Sequence, residues 1–144
     1  MKTIRLFLLM ALLIPIASCD AQSPGEKKLN AGNSSSDKIE AFYFHFTARC
    51  TTCKTIEAEA KKDLEILYPN EVKQGLITFQ SINLEEAPNK TLADKLGISG
   101  QALLLVKGDQ IINLTNEGFL YAVAKPDKFK EIINERVDGL LMIK

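Results

Sequence analysis

The hydrophobic rhythm of the chain changes period several times. Ala41–Phe46 (AFYFHF) is aromatic-rich and bounded by polar residues, which predicts a central strand. In such a strand His45 shares a side with Tyr43, opposite the three phenylalanines. Cys53, Ile56, Ala60, Leu64 and Leu67 then recur at spacings of 3, 4, 4 and 3, the stripe of a helix, which Tyr68-Pro69-Asn70 ends. Gly75–Leu84 (GLITFQSINL) alternates as a second strand, with Leu76, Thr78, Gln80 and Ile82 on one side. Pro88-Asn89 opens a short helix through Leu96, stopped by Gly97. Ala102–Val106 (ALLLV) is a continuous apolar run, the pattern of a strand covered on both faces. Lys107–Gln110 turns the chain, and Ile111–Leu114 returns antiparallel. Pro126 fits the first turn of a last helix with Phe129, Ile132, Ile133, Val137 and Leu140 inward. The order β-α-β-α-β-β-α predicts an α/β fold with a mixed central sheet and helices on both faces. Its chemistry is expected at the strand-to-helix switch, Phe46–Cys50. The connection Asn116–Lys125 is long for its place. Its Phe119–Val123 segment is expected to pack on the core as an extra turn; the alternative brings Tyr121 to the cysteine edge as a wall for a partner.

The N-terminal segment follows different rules. Lys2 and Arg5 precede an apolar run, Leu6–Ala17, too short to span a bilayer and interrupted by Pro15. Residues 1–18 are therefore expected to be a signal peptide. Ile16-Ala17-Ser18-Cys19 resembles the lipobox of bacterial lipoproteins, which implies cleavage before Cys19 and a lipid on its sulfur. Residues 20–37 are polar, rich in Ser, Gly and Asn, and cannot bury enough apolar surface to offset their ordering. They are expected to form a tether spanning about 25 Å on average. Residues 38–144 remain as one domain large enough for a single core. Losing Lys2 and Arg5 takes the formal net charge from 0 to −2, so neither nucleic acid nor an anionic membrane surface is an expected partner. The localisation expected is the bacterial cell envelope, facing the periplasm or exterior.

Of three cysteines, Cys50 and Cys53 are then left, in a compartment where disulfides persist. At a helix start the two are unequal. Cys50 meets unpaired backbone N–H groups and the helix dipole, and Arg49 adds a cation; both favour the nucleophilic thiolate. Cys53 begins the buried stripe and would be shielded. That asymmetry suits thiol–disulfide exchange, with Cys50 attacking and Cys53 resolving. Two other readings stay open. A permanent disulfide closing so short a loop stabilises by roughly 2 kcal/mol. Alternatively, Cys50, Cys53 and His45, the one histidine, offer three ligands to Cu(I) or an arsenical. No organic cofactor is expected, for want of a phosphate-cradling glycine loop. Lys61-Lys62-Asp63 and Glu85-Glu86 read as solvated faces.

The motif FYFHFTARCTTCK, the stretch ITFQSINLEEAPNKTLADKLGISGQALLLVKGDQI and the terminal helix together resemble the thioredoxin superfamily over nearly all of residues 38–144. The resemblance implies that fold and the same roles for Cys50 and Cys53. Within the superfamily the chain is similar to small bacterial thioredoxin-like lipoproteins, some assigned to nitroreductase systems for nitrophenyl compounds; a subunit of such a system is a further expectation. The family pattern has Trp before the first cysteine, Gly-Pro between the pair, a buried Asp in the preceding strand and a cis-proline opposite the disulfide. Here Arg49, Thr51-Thr52, Phe44 and Gln101 or Ala102 stand at those places. Gln101, Ala102 and Tyr121 are accordingly the candidates for the substrate-side wall. The departures favour one dedicated thiol or disulfide partner in the envelope over general disulfide reduction.

Overall fold

The computed structural model describes residues 37–143. The expected signal peptide, Cys19 and all of the expected tether but Asp37 lie outside the described residues. Four strands, β1 (Ile39–His45), β2 (Ile77–Asn83), β3 (Ala102–Lys107) and β4 (Gln110–Asn113), form one sheet in the order β2-β1-β3-β4. β1 and β2 run parallel, whereas β3 pairs antiparallel with β1 and with β4. The helices are α1 (Thr51–Leu67), α2 (Pro69–Lys73), α3 (Ala87–Lys95), α4 (Thr115–Tyr121) and α5 (Pro126–Met142).

The mixed sheet, its parallel pair and its terminal hairpin match the expected α/β architecture. Two short helices, α2 and α4, are additional to the expected order. Pro69 ends α1 and then opens α2, because a proline lacking an N–H is tolerated in a first helical turn. α4 fills the connection in which one extra turn was expected. β1 ends at His45, one residue early, and Phe46 is 41% exposed outside the strand.

Alternation along the strands divides the core in two. Ala41, Tyr43, Leu103 and Leu105 face α1, α4 and α5, meeting Ile56, Ala60, Leu64, Phe129, Ile133 and Val137. Phe42, Phe44, Ile82, Leu104 and Val106 face α3 and meet Ala93. Both faces of β3 are thus buried, as its apolar run predicts. Gly97 ends α3 at φ +68 and Gly108 turns the β3–β4 hairpin at φ +57, values that favour glycine. At the far end Lys107 is buried and donates from Nζ to the carbonyls of Leu140 (2.9 Å) and Ile143 (2.6 Å), closing the C-terminal end of α5.

One expected solvated residue is not solvated. Asp63 is 1% exposed and its Oδ2 has no hydrogen-bond partner. It falls ten positions after Cys53, on the inward side of α1, where helical spacing places it beside Ala60 and Leu64.

Candidate functional site

The loop after β1 delivers the cysteines to the start of α1 and is pinned on its way. The Thr47 N–H donates to Glu85 Oε2 at 2.9 Å, and Asn83 Nδ2 donates to Thr47 Oγ1 at 3.0 Å. These bonds tie the loop to the end of β2. Glu85 is exposed, and the Thr47 hydrogen bonds hold its carboxyl below the usual range.

Cys50 occupies the N-cap of α1 with extended backbone, φ −72 and ψ 164. Its sulfur stands where Ser or Asp commonly stands, accepting from the Cys53 N–H at 3.3 Å. Its carbonyl accepts the first intrahelical bond, from Lys54 N. No acidic residue lies in the first turn to oppose a negative sulfur. A disulfide joins Cys50 to Cys53, with their Cα atoms 5.2 Å apart. Cys50 is exposed and Cys53 is 5% exposed. One exposed and one covered cysteine therefore share a single helical turn.

Behind the pair is a polar cluster. Arg49, expected to favour the Cys50 thiolate by its positive charge, forms an ion pair with Glu57 two turns into α1, both side chains half-buried. Tyr43 points up from β1, 1% exposed, and its hydroxyl donates to the Cys53 carbonyl at 2.7 Å. Gln101 Nε2 donates to the same hydroxyl. Burial pushes the Tyr43 phenol above its usual 10; the Gln101 bond offsets part of this, Glu57 adds to it and Arg49 opposes it. His45 stacks on Tyr43 at 6.2 Å between ring centroids. Its Nδ1 lies 2.9 Å from the Phe46 carbonyl, which can only accept, so that nitrogen carries the proton. With Cys50 and Cys53 joined in a disulfide, no group of three His, Cys, Asp or Glu side chains among the described residues is placed to hold a metal ion.

The other candidates separate. Gln101 and Ala102 both line an open cleft of about 500 Å³, with Gly100, Asn113, Thr115 and Glu117 on its other walls. Gln101 also reaches inward to Tyr43, while Ala102 is buried in the α3-side core. Tyr121 ends α4 half-buried against the larger core and is not in that cleft. Phe44, placed by the resemblance where the family carries its acid, faces α3; the β1 side chain that reaches the cysteine turn is Tyr43. Tyr43 and Glu57 are the residues that the sequence reading missed. The alternation that puts Tyr43 opposite the phenylalanines was a usable signal, as was the helical spacing of Cys53 and Glu57.

No family model matches the chain, and no curated protein matches it. Similar solved structures include a malarial protein (16% identity, 69% of this chain and 96% of that one, TM-score 0.45). Thioredoxin O2 from Arabidopsis thaliana in the oxidised state is 19% identical over 69% of this chain and 75% of its own, with a TM-score of 0.45. Chloroplastic thioredoxin z is 21% identical over 72% and 81%, with a TM-score of 0.47. The fold is thioredoxin-like in its own connectivity: a parallel β1–α1–β2 unit, an antiparallel β3–β4 hairpin, a final helix, and a CxxC disulfide at the β1–α1 junction.

Proposed function

We propose that the chain is a thiol–disulfide exchange protein of the bacterial envelope, tethered through a lipid on Cys19 and working with a dedicated partner. The observation that carries the chemistry is the inequality of the two sulfurs: Cys50 exposed at a helix N-cap, Cys53 covered one turn later. In the closed disulfide the Cys50 sulfur accepts the Cys53 N–H, and in the reduced pair that N–H and the positive end of the helix dipole favour the Cys50 thiolate. It attacks a partner disulfide, and one partner sulfur leaves as a thiolate. Cys53 then attacks the Cys50 sulfur of the mixed disulfide, closing the ring and releasing the second partner sulfur. Two electrons pass to the partner, whose sulfurs take up the protons; the reverse order carries electrons the other way.

Titration of residues 38–144 against glutathione or dithiothreitol buffers tests the reading. A reversible two-electron couple within reach of cellular donors is expected, and Cys53→Ser should accumulate a mixed disulfide through Cys50. A potential well below about −300 mV, with no captured partner, marks a structural clip instead.

A further inference from the structure

The hydroxyl of Tyr43 is 2.7 Å from the carbonyl of the residue bearing the covered sulfur. A carbonyl only accepts, so the phenol's single proton is committed to Cys53. The phenol oxygen keeps lone pairs, and the Gln101 amide N–H fills one of them. The pairing of β1 with β3 makes this reach possible. Tyr43 stands opposite Leu103 and Phe44 opposite Ala102, so Gln101 lies on the Tyr43 side at the diagonal position. A line of hydrogen bonds thus runs from a cleft wall, through β1, to the first turn of α1.

We propose that Tyr43, oriented by Gln101, is a positioning residue for Cys53: it pins the first turn of α1 to the sheet, so that the covered sulfur stays aimed at Cys50 while the bond between them is open. This rests on the exchange function proposed above. In the closed disulfide a covalent bond holds the two sulfurs together. Once Cys50 is joined to a partner sulfur, only non-covalent contacts hold Cys53 in line. The closing step forms the Cys50–Cys53 bond, breaks the Cys50–partner bond and expels the partner thiolate. Its rate and equilibrium both depend on how much of the time Cys53 is in line.

The test uses the full chain, with oxidised glutathione as the partner disulfide. Tyr43→Phe keeps the ring in the core and removes only the hydroxyl. The equilibrium constant for closing the disulfide should fall about three- to tenfold, the tenfold end corresponding to about 30 mV. The Cys50–glutathione mixed disulfide should persist longer by a similar factor. Alkylation of Cys50 in a Cys53→Ser background should change less than about twofold, since the first attack does not use Cys53. Gln101→Glu is the sharper variant. It replaces a donor with an acceptor, draws the phenol proton away from the Cys53 carbonyl, and should reproduce the effect with tyrosine retained. Gln101→Met leaves that proton in place and should perturb less. A purely structural tyrosine lowers the stability of the oxidised and reduced chains equally and leaves the closing constant unmoved. Wild-type closing constants and lifetimes in both Tyr43→Phe and Gln101→Glu overturn the positioning role while leaving exchange intact. A wild-type chain with no measurable couple overturns the exchange reading and this role with it.

Discussion

At the start of α1 the polar groups behind the disulfide are paired: Cys50 Sγ with Cys53 N, the Cys53 carbonyl with Tyr43, Tyr43 with Gln101, Arg49 with Glu57. Ten residues on, Asp63 is as buried as its apolar neighbours and its Oδ2 is unanswered. Both ends bury polar atoms, yet only one organises them. Burial of a titratable side chain is therefore a poor pointer to this site, and mutual hydrogen bonding is a good one. The unanswered Asp63 oxygen costs stability; the partnered cluster fixes geometry at the sulfurs.

The largest effect is expected midway between the two ends, where Gly118 of α4 leans on Ile56 of α1. A Cβ at Gly118 would lie 2.9 Å from Ile56 Cγ2. Gly118→Val should cost about 2–3 kcal/mol, seen as a lower urea midpoint at unchanged slope. The disulfide equilibrium should stay put, because both redox forms lose the same packing; a shifted equilibrium would join the two ends that the comparison separates.

Asp63→Asn should act in the opposite direction, stabilising by about 1 kcal/mol at neutral pH. Burial, with Glu59 adding to it, pushes the Asp63 carboxyl above its usual 3.8, while Lys62 and Lys130 oppose the shift. A folded-state value raised this way means that the folded chain holds the proton more tightly. The wild type is then least penalised below pH 3.8 and loses stability as pH climbs through the raised value. The gap between variant and wild type should open with rising pH in denaturation curves; a gap constant with pH contradicts this.

The smallest effect on stability, below about 1 kcal/mol, is expected for Glu57→Gln. Its consequence for chemistry is more informative. Releasing the Arg49 guanidinium beside Cys50 should speed iodoacetamide alkylation of Cys50 at pH 7 about two- to threefold, and Arg49→Met should show no such gain. Equal rates in all three proteins would remove Arg49 from the account of that sulfur.

The sequence was most readable where periodicity was strong. The α1 stripe from Cys53 to Leu64 is buried as its spacing predicts, and Ala102–Val106 is covered on both faces. It was least readable where tertiary contact decides. α4 is seven residues with Phe119 and Leu120 exposed, and it holds its place through Gly118 against a helix distant in sequence. Asp63 sat in a charged run, Lys61-Lys62-Asp63, that suggested solvent; helical geometry turns only its third member inward. The inequality of the cysteines was legible from the helix start alone. The partners of Arg49 and Tyr43 were not, since Glu57 and Gln101 lie 8 and 58 positions away from them.

Lys107 carries a consequence for how the protein wears out. Its ammonium lies under the last turn of α5, with the carbonyls of Leu140 and Ile143 as its acceptors. A cut in the chain before Leu140 takes both acceptors from that buried cation, a loss of about 3–5 kcal/mol in a molecule whose whole margin is about 5–15 kcal/mol. Proteolysis of that turn should therefore yield intact chains and degraded ones, with few nicked survivors between.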